Sequence, residues 1–191
     1  MDLEMNLEVV RNLGPLAPLV GAWEGDKGDD TAPSDDRKVE HNKYRERIHF
    51  EVISQVHNHE QSLWGLRYST KAWRLGEAEP FHEEVGYWLW DPAAKQVLRC
   101  FIVPRGVSVL AGGTAEPTAK QFELNADAGS ATYGICSNKF LEDEFKTVHY
   151  TLQVTIHSND SWSYKENTQL HIKGRQELFD HKDQNTLQRA R

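Results

Sequence analysis

The chain has 191 residues, of which 38% are hydrophobic and 10% aromatic, and this suits one domain whose core is built mainly from large rings. Its mean hydropathy is −0.68, and no apolar run approaches the roughly 18 residues of a membrane-spanning helix. The formal net charge of −7 argues against a general binder of the nucleic-acid backbone.

The N-terminal segment and the two cysteines indicate the compartment in which the protein is expected to occur. Residues Met1 to Val10 have no basic stretch before an apolar one, so we expect no secretory signal. Only Cys100 and Cys136 are present, which excludes a disulfide framework and a cysteine-rich zinc site. We therefore expect a cytoplasmic protein with no membrane association and no nucleic-acid partner.

The first predicted elements are a short helical segment and a loop. Between Asn12 and Val20, leucines surround Pro15 and Pro18, which predicts one or two helical turns that act as an apolar lid. Residues Gly25 to Asn42 are rich in Asp, Gly, Lys and Ser, which predicts a long polar loop.

From Tyr44 onward the hydrophobic pattern has a period of two, and turn signals separate ten predicted strands: Tyr44–Gln55, Gln61–Arg74, Phe81–Trp90, Gln96–Val103, Val107–Gly113, Gln121–Asn125, Ser130–Ser137, Phe145–His157, Trp162–Lys173 and Gln176–Arg189. Hairpin-length connections indicate an antiparallel meander, and closure of the sheet removes its edges. The predicted fold is therefore all-β: a closed, lipocalin-like barrel of about ten antiparallel strands with a short N-terminal helix. We expect a single domain over residues 1–191, with its barrel core at about residues 20–189.

The most specific local motif is the run Gly21-Ala22-Trp23-Glu24-Gly25 at the entry to the first strand. A tryptophan flanked by glycines is typical of the packing that fills the closed end of a small barrel, because glycine allows the backbone to approach closely. Trp23 is therefore predicted to lie at the base of the barrel and of any cavity within it.

Three segments together resemble the nitrobindins, which are haem-binding ten-stranded barrels similar to fatty-acid-binding proteins. They are Leu13–Gly25, Lys71–Trp73 and Pro80–Tyr87. The family motif is G-x-W-x-G-x-G, and here Lys27 stands at its last glycine while Gly28 follows. The resemblance implies a haem b site with an axial histidine, binding of nitric oxide by the iron, and isomerisation of peroxynitrite to nitrate.

The resemblance also implies which residues would hold the haem. His181 lies in the last predicted strand, where nitrobindins present their axial histidine, and it is the implied iron ligand. Asp180 or Asp183 could accept a hydrogen bond from its second ring nitrogen. Arg105, at a strand junction, could face a propionate, and Lys146 lies near a lysine that the family places close to haem.

The predicted strand after residue 80 supplies the cavity candidates. Its period of two places His82, Glu84 and Trp88 on one face. If that face points inward, these side chains line the ligand cavity together with Trp23. A buried Glu84 would need a cationic partner, for which the candidates are Arg67, Arg99 and Arg105.

Three functions are compatible with this architecture. The first is a nitrobindin-type haem barrel, and the second is a carrier of a small, carboxylate-bearing organic ligand without haem. The third is a barrel with a filled interior that binds no ligand and whose outer surface carries the function. No hydrolase, phosphate-loop, zinc or dinucleotide motif occurs, so no catalytic residue is assigned. The resemblance also allows a homodimer, because members of the family often form one.

Overall fold

The computed structural model describes residues 3–190, with side chains from residue 8 onward. The strands are β1 (Gly21–Pro33), β2 (Val39–Val52), β3 (Val56–Asn58), β4 (Gln61–Arg74), β5 (His82–Asp91), β6 (Gln96–Val103), β7 (Val107–Thr114), β8 (Gln121–Ala128), β9 (Gly134–Ser137), β10 (Phe145–Ser158), β11 (Ser161–Ile172) and β12 (Phe179–Arg189). The helical segments are α1 (Leu3–Asn12), a 3-10 helix (Gly14–Leu19) and α2 (Lys139–Glu144). None of these helices is long and apolar enough to cross a membrane.

Ten long strands close into a ring. Strand β1 lies between β2 and β12, and β2 also pairs with β4, which joins the two ends of the sheet. The short strand β3 pairs with the start of β4, and β9 is a short parallel neighbour of β8 that also pairs with β7. The prediction of a closed barrel of about ten strands with a short N-terminal helix is therefore confirmed, and the two short strands are additions to it.

One end of the barrel is closed by the 3-10 helix, as the sequence predicts. Leu16 and Leu19 are fully buried there. Gly14 has a φ of +54°, and a Cβ at this position would lie 2.6 Å from the Trp90 ring, so only glycine fits. The indole nitrogen of Trp23 donates a hydrogen bond to the carbonyl of Leu19 at 2.7 Å. These contacts join the helix to the first strand.

The predicted polar loop over Gly25 to Asn42 is wrong, because β1 and β2 occupy most of it. The inward positions of β1 hold Gly28 and Asp30 rather than apolar side chains, so the usual alternation is hidden. A Cβ on Gly28 would lie 2.4 Å from the Tyr44 ring, which explains the glycine. The strand also carries a bulge between Gly25 and Gly28.

Three further elements differ from the prediction, namely one shortened strand and two helices. Of the strand predicted at Ser130 to Ser137, only the last four residues pair, because the Ser130 hydroxyl accepts backbone hydrogen bonds within a turn. The helix α2 was not predicted from the sequence, although Asn138 caps it by accepting a hydrogen bond from the Leu141 amide at 3.0 Å. The first helix, α1, was also not predicted.

Candidate functional site

The barrel encloses a cavity of about 880 Å³ that reaches the end opposite the 3-10 helix. Its mouth is bordered by the β1–β2 turn and by α2, where Phe140 is 62% exposed. Its floor is aromatic, since Phe50 packs edge-on against Trp88 and Trp162 with ring centroids 5.9 and 6.0 Å apart. This volume lies within the range of about 300–1,000 Å³ that is typical of small-molecule sites.

A buried cation, Arg99 of β6, lies in the cavity wall. Its guanidinium binds the carboxylate of Glu84 on β5, and its Nη1 lies 2.8 Å from Oε2 of Glu166 on β11. The Tyr68 hydroxyl donates to Glu84 at 2.8 Å, and the Tyr150 hydroxyl donates to Glu166 at 2.8 Å. One guanidinium therefore joins two carboxylates on strands from different sides of the barrel.

Among the three arginines considered from the sequence, Arg99 is the partner of Glu84. Arg67 instead forms an exposed pair with Glu51 on the outer face, and Arg105 lies at the rim. Burial alone would raise the pKa of Glu84, but the adjacent Arg99 outweighs it and lowers the pKa to about 2. The carboxyl group of Glu84 is therefore ionised at neutral pH.

Glu46 of β2 is a second buried acid, and it has only neutral partners. Its carboxylate accepts hydrogen bonds from Thr70 at 3.0 Å, Tyr164 at 3.0 Å and Asn185 at 3.1 Å. No cationic side chain of the described residues lies within 4.0 Å of it. Burial raises the pKa of Glu46 despite these hydrogen bonds.

Three acidic residues form a row across adjacent strands. Asp30 of β1 is the direct cross-strand partner of Asp183 on β12, and Asp183 is the direct partner of Glu166 on β11. All three line the cavity. The Tyr44 hydroxyl donates a hydrogen bond to Asp183. Burial raises the pKa of Asp183, and the neighbouring carboxylates Glu166 and Glu46 raise it further.

His181 of β12 is held by a buried carboxylate. Its Nε2 lies 2.8 Å from Oδ1 of Asp30, which is 4% exposed. Burial would raise the pKa of Asp30, but the hydrogen bond and charge of His181 outweigh it and lower the pKa. The other ring nitrogen, Nδ1, has no hydrogen-bond partner among the described residues. The carboxylate at this histidine is therefore Asp30, rather than the neighbours Asp180 or Asp183 considered from the sequence.

His82 of β5 lies on the far side of the same mouth. Strand β5 is separated from β12 by β1, β2 and β4 on one side and by five long strands on the other, so the two histidines face each other across the barrel. Nε2 of His82 lies 3.6 Å from Oε2 of Glu84. The side chains of His82 and His181 are 29% and 30% exposed, so both remain accessible at the mouth.

Five of the residues assigned from the sequence to the haem site or the ligand cavity line the cavity, namely His82, Glu84, Trp88, Arg105 and His181. Arg105 is fixed at the rim, where its Nη2 donates to the Phe81 carbonyl at 2.8 Å. Lys146 does not line the cavity, because side chains alternate along β10 and its ammonium binds Glu142 on the outside. Trp23 does not line it either, because it lies beneath the floor with its ring 6.2 Å from that of Trp162.

Several polar residues of the cavity are not assigned to it from the sequence: Asp30 and Glu46 are not considered, and Arg99 and Asp183 are considered only as partners of Glu84 and His181. The strand register in the sequence could have identified two of them, Glu46 and Arg99. Glu46 occupies the same register as the apolar, inward-facing residues of β2, and Arg99 does so on β6. A charged residue in the inward register of a strand indicates a polar interior.

Comparisons with known proteins agree with this fold. A family model described as "THAP4-like, heme-binding beta-barrel domain" matches residues 12–189. The crystal structure of Rv2717c from M. tuberculosis has the same fold, with a TM-score of 0.69 and 24% sequence identity over 94% of this chain and 97% of that chain. No curated protein matches the sequence significantly. Because the family model spans every strand of the barrel and its cavity, the chain belongs to the THAP4-like haem-binding β-barrel domain family, the nitrobindin family.

Proposed function

We propose that this barrel binds haem b at its mouth and that His181 is the axial ligand of the iron. The observation that carries the proposal is the pair of His181 and Asp30. One ring nitrogen of the histidine is held at 2.8 Å by a buried carboxylate, while the other has no partner among the described residues. A histidine that ligates a metal usually has this arrangement, because the carboxylate fixes the ring and raises its basicity.

The residues at the mouth fit the group in size and character. The cavity of about 880 Å³ is large enough for a macrocycle. Phe81, Phe140 and Phe145 supply flat apolar surface around the opening. The guanidinium groups of Arg74 and Arg105 also line the cavity and could bind propionates. Lys146 lies outside the cavity and has no part in this proposal.

We extend the proposal to nitric oxide as the gaseous ligand and to isomerisation of peroxynitrite to nitrate, and family membership supports this step. Haem, when bound, would supply an iron centre with one open side. His82, across the mouth from His181, could donate a hydrogen bond to an anion there, and Glu84 lies 3.6 Å away to orient its ring. Isomerisation breaks the O–O bond and forms an N–O bond, so it needs no co-reactant.

The alternative of a carrier for a carboxylate-bearing ligand is not favoured by the cavity walls. Seven acidic side chains line the cavity, at positions Asp30, Asp35, Glu40, Glu46, Glu84, Glu166 and Asp183, whereas Arg99 is the buried cation among the described lining residues. An anionic group placed among them would be repelled, and Arg99 is already bound to two carboxylates.

Substitution of the axial residue tests the proposal. We expect His181→Ala to keep the barrel fold with some loss of stability, because it leaves the buried Asp30 carboxylate without this partner, and to lose hemin uptake almost completely. The measurement is the Soret absorbance during titration of the full chain with hemin, together with its shift on addition of nitric oxide. Hemin uptake by His181→Ala equal to that of the wild type would refute the assignment.

His82→Ala is the matched control, since His82 has similar exposure on the opposite wall. We expect it to retain hemin and to change the rate of peroxynitrite decay by altering the hydrogen bonding on the open side. Equal loss of haem from both variants would show that the iron ligand is not His181 alone. A thermal unfolding curve of each variant separates loss of the ligand from loss of the fold.

We also propose that a second copy of the chain packs on the outer face of β5 to β7. Val85 and Ile102 are direct cross-strand partners there, each 57% exposed, and Tyr87 and Leu110 extend the apolar patch. Sedimentation velocity should show a dimer for the wild type and a monomer for Ile102→Glu. A wild-type monomer at high protein concentration would contradict this arrangement.

A further inference from the structure

The turn between β1 and β2, residues 34–38, lies across one side of the cavity mouth, and we call it the strap. Its first two residues line the cavity. The side chain of Arg37 in this turn reaches Glu144, the last residue of α2, which directly precedes β10. In the closed ring, β12 and β11 lie between β1 and β10. The strap therefore extends over the ends of β12 and β11, on the side of the mouth that holds His181.

A single side chain holds the strap in this position. Nη2 of Arg37 donates a hydrogen bond to Oε2 of Glu144 at 2.7 Å, and its Nη1 donates to the Lys173 carbonyl at 2.9 Å. The guanidinium carbon also lies 5.0 Å from the centre of the Phe145 ring. The other hydrogen bonds and ion pairs that residues 34–38 form within the described chain join residues of the turn itself. The ion pair of Arg37 with Glu144, which we call the latch, therefore ties the strap to the far side of the opening.

Glu144 is a suitable anchor because it is itself held in place. Nζ of Lys173 lies 2.6 Å from its Oε1, and the Lys173 amide donates a hydrogen bond to its carbonyl at 3.0 Å. An isolated ion pair on a protein surface contributes little, but a carboxylate that is shared by two cations is fixed in one geometry. The latch therefore joins three elements at the mouth: the strap, α2 and the turn between β11 and β12.

Apart from the latch, the strap and α2 are weakly packed. No residue of the segments 34–38 and 139–144 is buried. By contrast, the cavity floor is part of the core, where Trp88 and Trp162 are each 2% exposed. Segments with little buried apolar surface open at a much lower free energy than core strands do. The strap can therefore move away from the mouth while the barrel stays intact.

We propose that the strap is a gate of the cavity, and that rupture of the latch between Arg37 and Glu144 is the step that admits a large ligand on the His181 side of the mouth. For haem as that ligand, the inference rests on the proposed function, but the gate itself requires neither iron nor His181. A gate that is closed both before and after binding changes the rates of entry and exit by the same factor. The affinity for the ligand therefore stays the same when the latch is removed.

Glu144→Gln removes the latch, and stopped-flow mixing of the full chain measures entry of two probes, hemin and the neutral, metal-free dye Nile red. Both probes should enter the variant about three- to fivefold faster than the wild type. Hemin should leave faster by the same factor, measured by its transfer to a haem-scavenging apoprotein in excess. Wild-type entry rates for both probes would overturn the proposal. So would a change in affinity without a change in entry rate, because the latch residues would then contact the ligand instead of gating it.

The matched control is Asp143→Asn, which removes the same charge from α2 but breaks only the exposed pair with Lys139. It should show wild-type entry rates, and faster entry in this variant would contradict a specific role of the latch.

Arg37→Gly breaks the latch from the other side, and glycine suits this position because its φ is +64°. It should accelerate entry like Glu144→Gln, although the two substitutions change the net charge in opposite directions, so electrostatic steering cannot produce both effects. The double variant should be no faster than either single variant, because both remove the same contact. Additive accelerations would show that the two residues act separately and would refute the latch.

Salt provides a test without substitution. Between about 50 mM and 1 M NaCl, Nile red entry should become faster in the wild type and stay nearly constant in Glu144→Gln, because salt screens a partly exposed ion pair. Faster Nile red entry in Glu144→Gln, together with no hemin uptake by any variant, would refute the haem proposal and support the gate. Hemin uptake at one common rate in all variants would refute the gate alone. A wild type that admits neither probe would also overturn the gate, and thermal unfolding curves confirm that each variant is folded.

Discussion

Arg99→Met is expected to destabilise the barrel by about 3–5 kcal/mol at neutral pH, which is the usual cost of removing one partner of a buried ion pair. The substitution retains most of the side-chain volume but leaves Glu84 and Glu166 without their shared cation. It also removes the cation from between the rings of Phe101 and Trp88, whose centroids lie 4.4 and 5.4 Å from the guanidinium carbon. Urea denaturation followed by tryptophan fluorescence measures the loss.

Arg67→Met is the matched control on the outer face. Arg67 and Glu51 also pair across neighbouring strands, but their side chains are 60% and 52% exposed. The expected loss is much smaller, because solvent and salt screen an exposed pair. The double variant Arg99→Met, Glu84→Gln should recover part of the stability, because the amide needs no counter-charge. Similar losses from the buried and the exposed arginine would show that Arg99 contributes little beyond packing.

The pH dependence of this loss gives a second test. The folded-state pKa of Glu84, about 2, lies below its ordinary value of 4.5. Its ionised form therefore contributes stability above about pH 4.5, and this contribution is lost as the pH falls towards 2. The stability difference between the wild type and Arg99→Met should shrink across that interval. A difference that stays constant from pH 7 to pH 3 would contradict the pairing.

The fold was largely predictable because the alternation of β5 and its neighbours is strong. Along β5, the inward register places Trp88 and Trp90 at 2% and 1% exposure, so the apolar half of the pattern is clear. The same register carries His82 and Glu84 into the cavity, although their residue types alone suggest a surface. The alternation along the strand, rather than the polarity of each residue, therefore predicts both the buried tryptophans and the polar side chains that face the cavity.

The polar part of the site could not be predicted in the same way. The sequence predicts a loop over most of β1, because the inward residues Gly28 and Asp30 are not apolar. The contact between Asp30 and His181 joins residues 151 positions apart, and it depends on β1 and β12 being neighbours in the closed ring. Pairing between the first and last strands follows from barrel closure, but the residues that meet depend on the bulge in β1.

Trp23→Ala is expected to destabilise the protein by about 3–5 kcal/mol, the usual cost of removing a large buried ring. Trp23 is 1% exposed and packs edge-on against Trp162. The guanidinium of Arg189, from the last strand, lies over its ring at 4.3 Å and also binds the Val20 carbonyl at 2.7 Å. The ring therefore holds the 3-10 helix, the first strand and the last strand together, and chemical denaturation would measure its contribution.

Two further variants separate the roles of this ring. Trp23→Phe keeps most of the buried surface but loses the hydrogen bond to Leu19, so a loss of about 1–2 kcal/mol is expected. Trp73→Ala, on the outer face beneath Arg45, should cost less than Trp23→Ala, because Trp73 is only partly buried. Since Trp23 lies beneath the cavity floor, Trp23→Phe should take up hemin like the wild type. If Trp23→Ala unfolds at the wild-type midpoint, the closed end contributes little to the stability of the barrel.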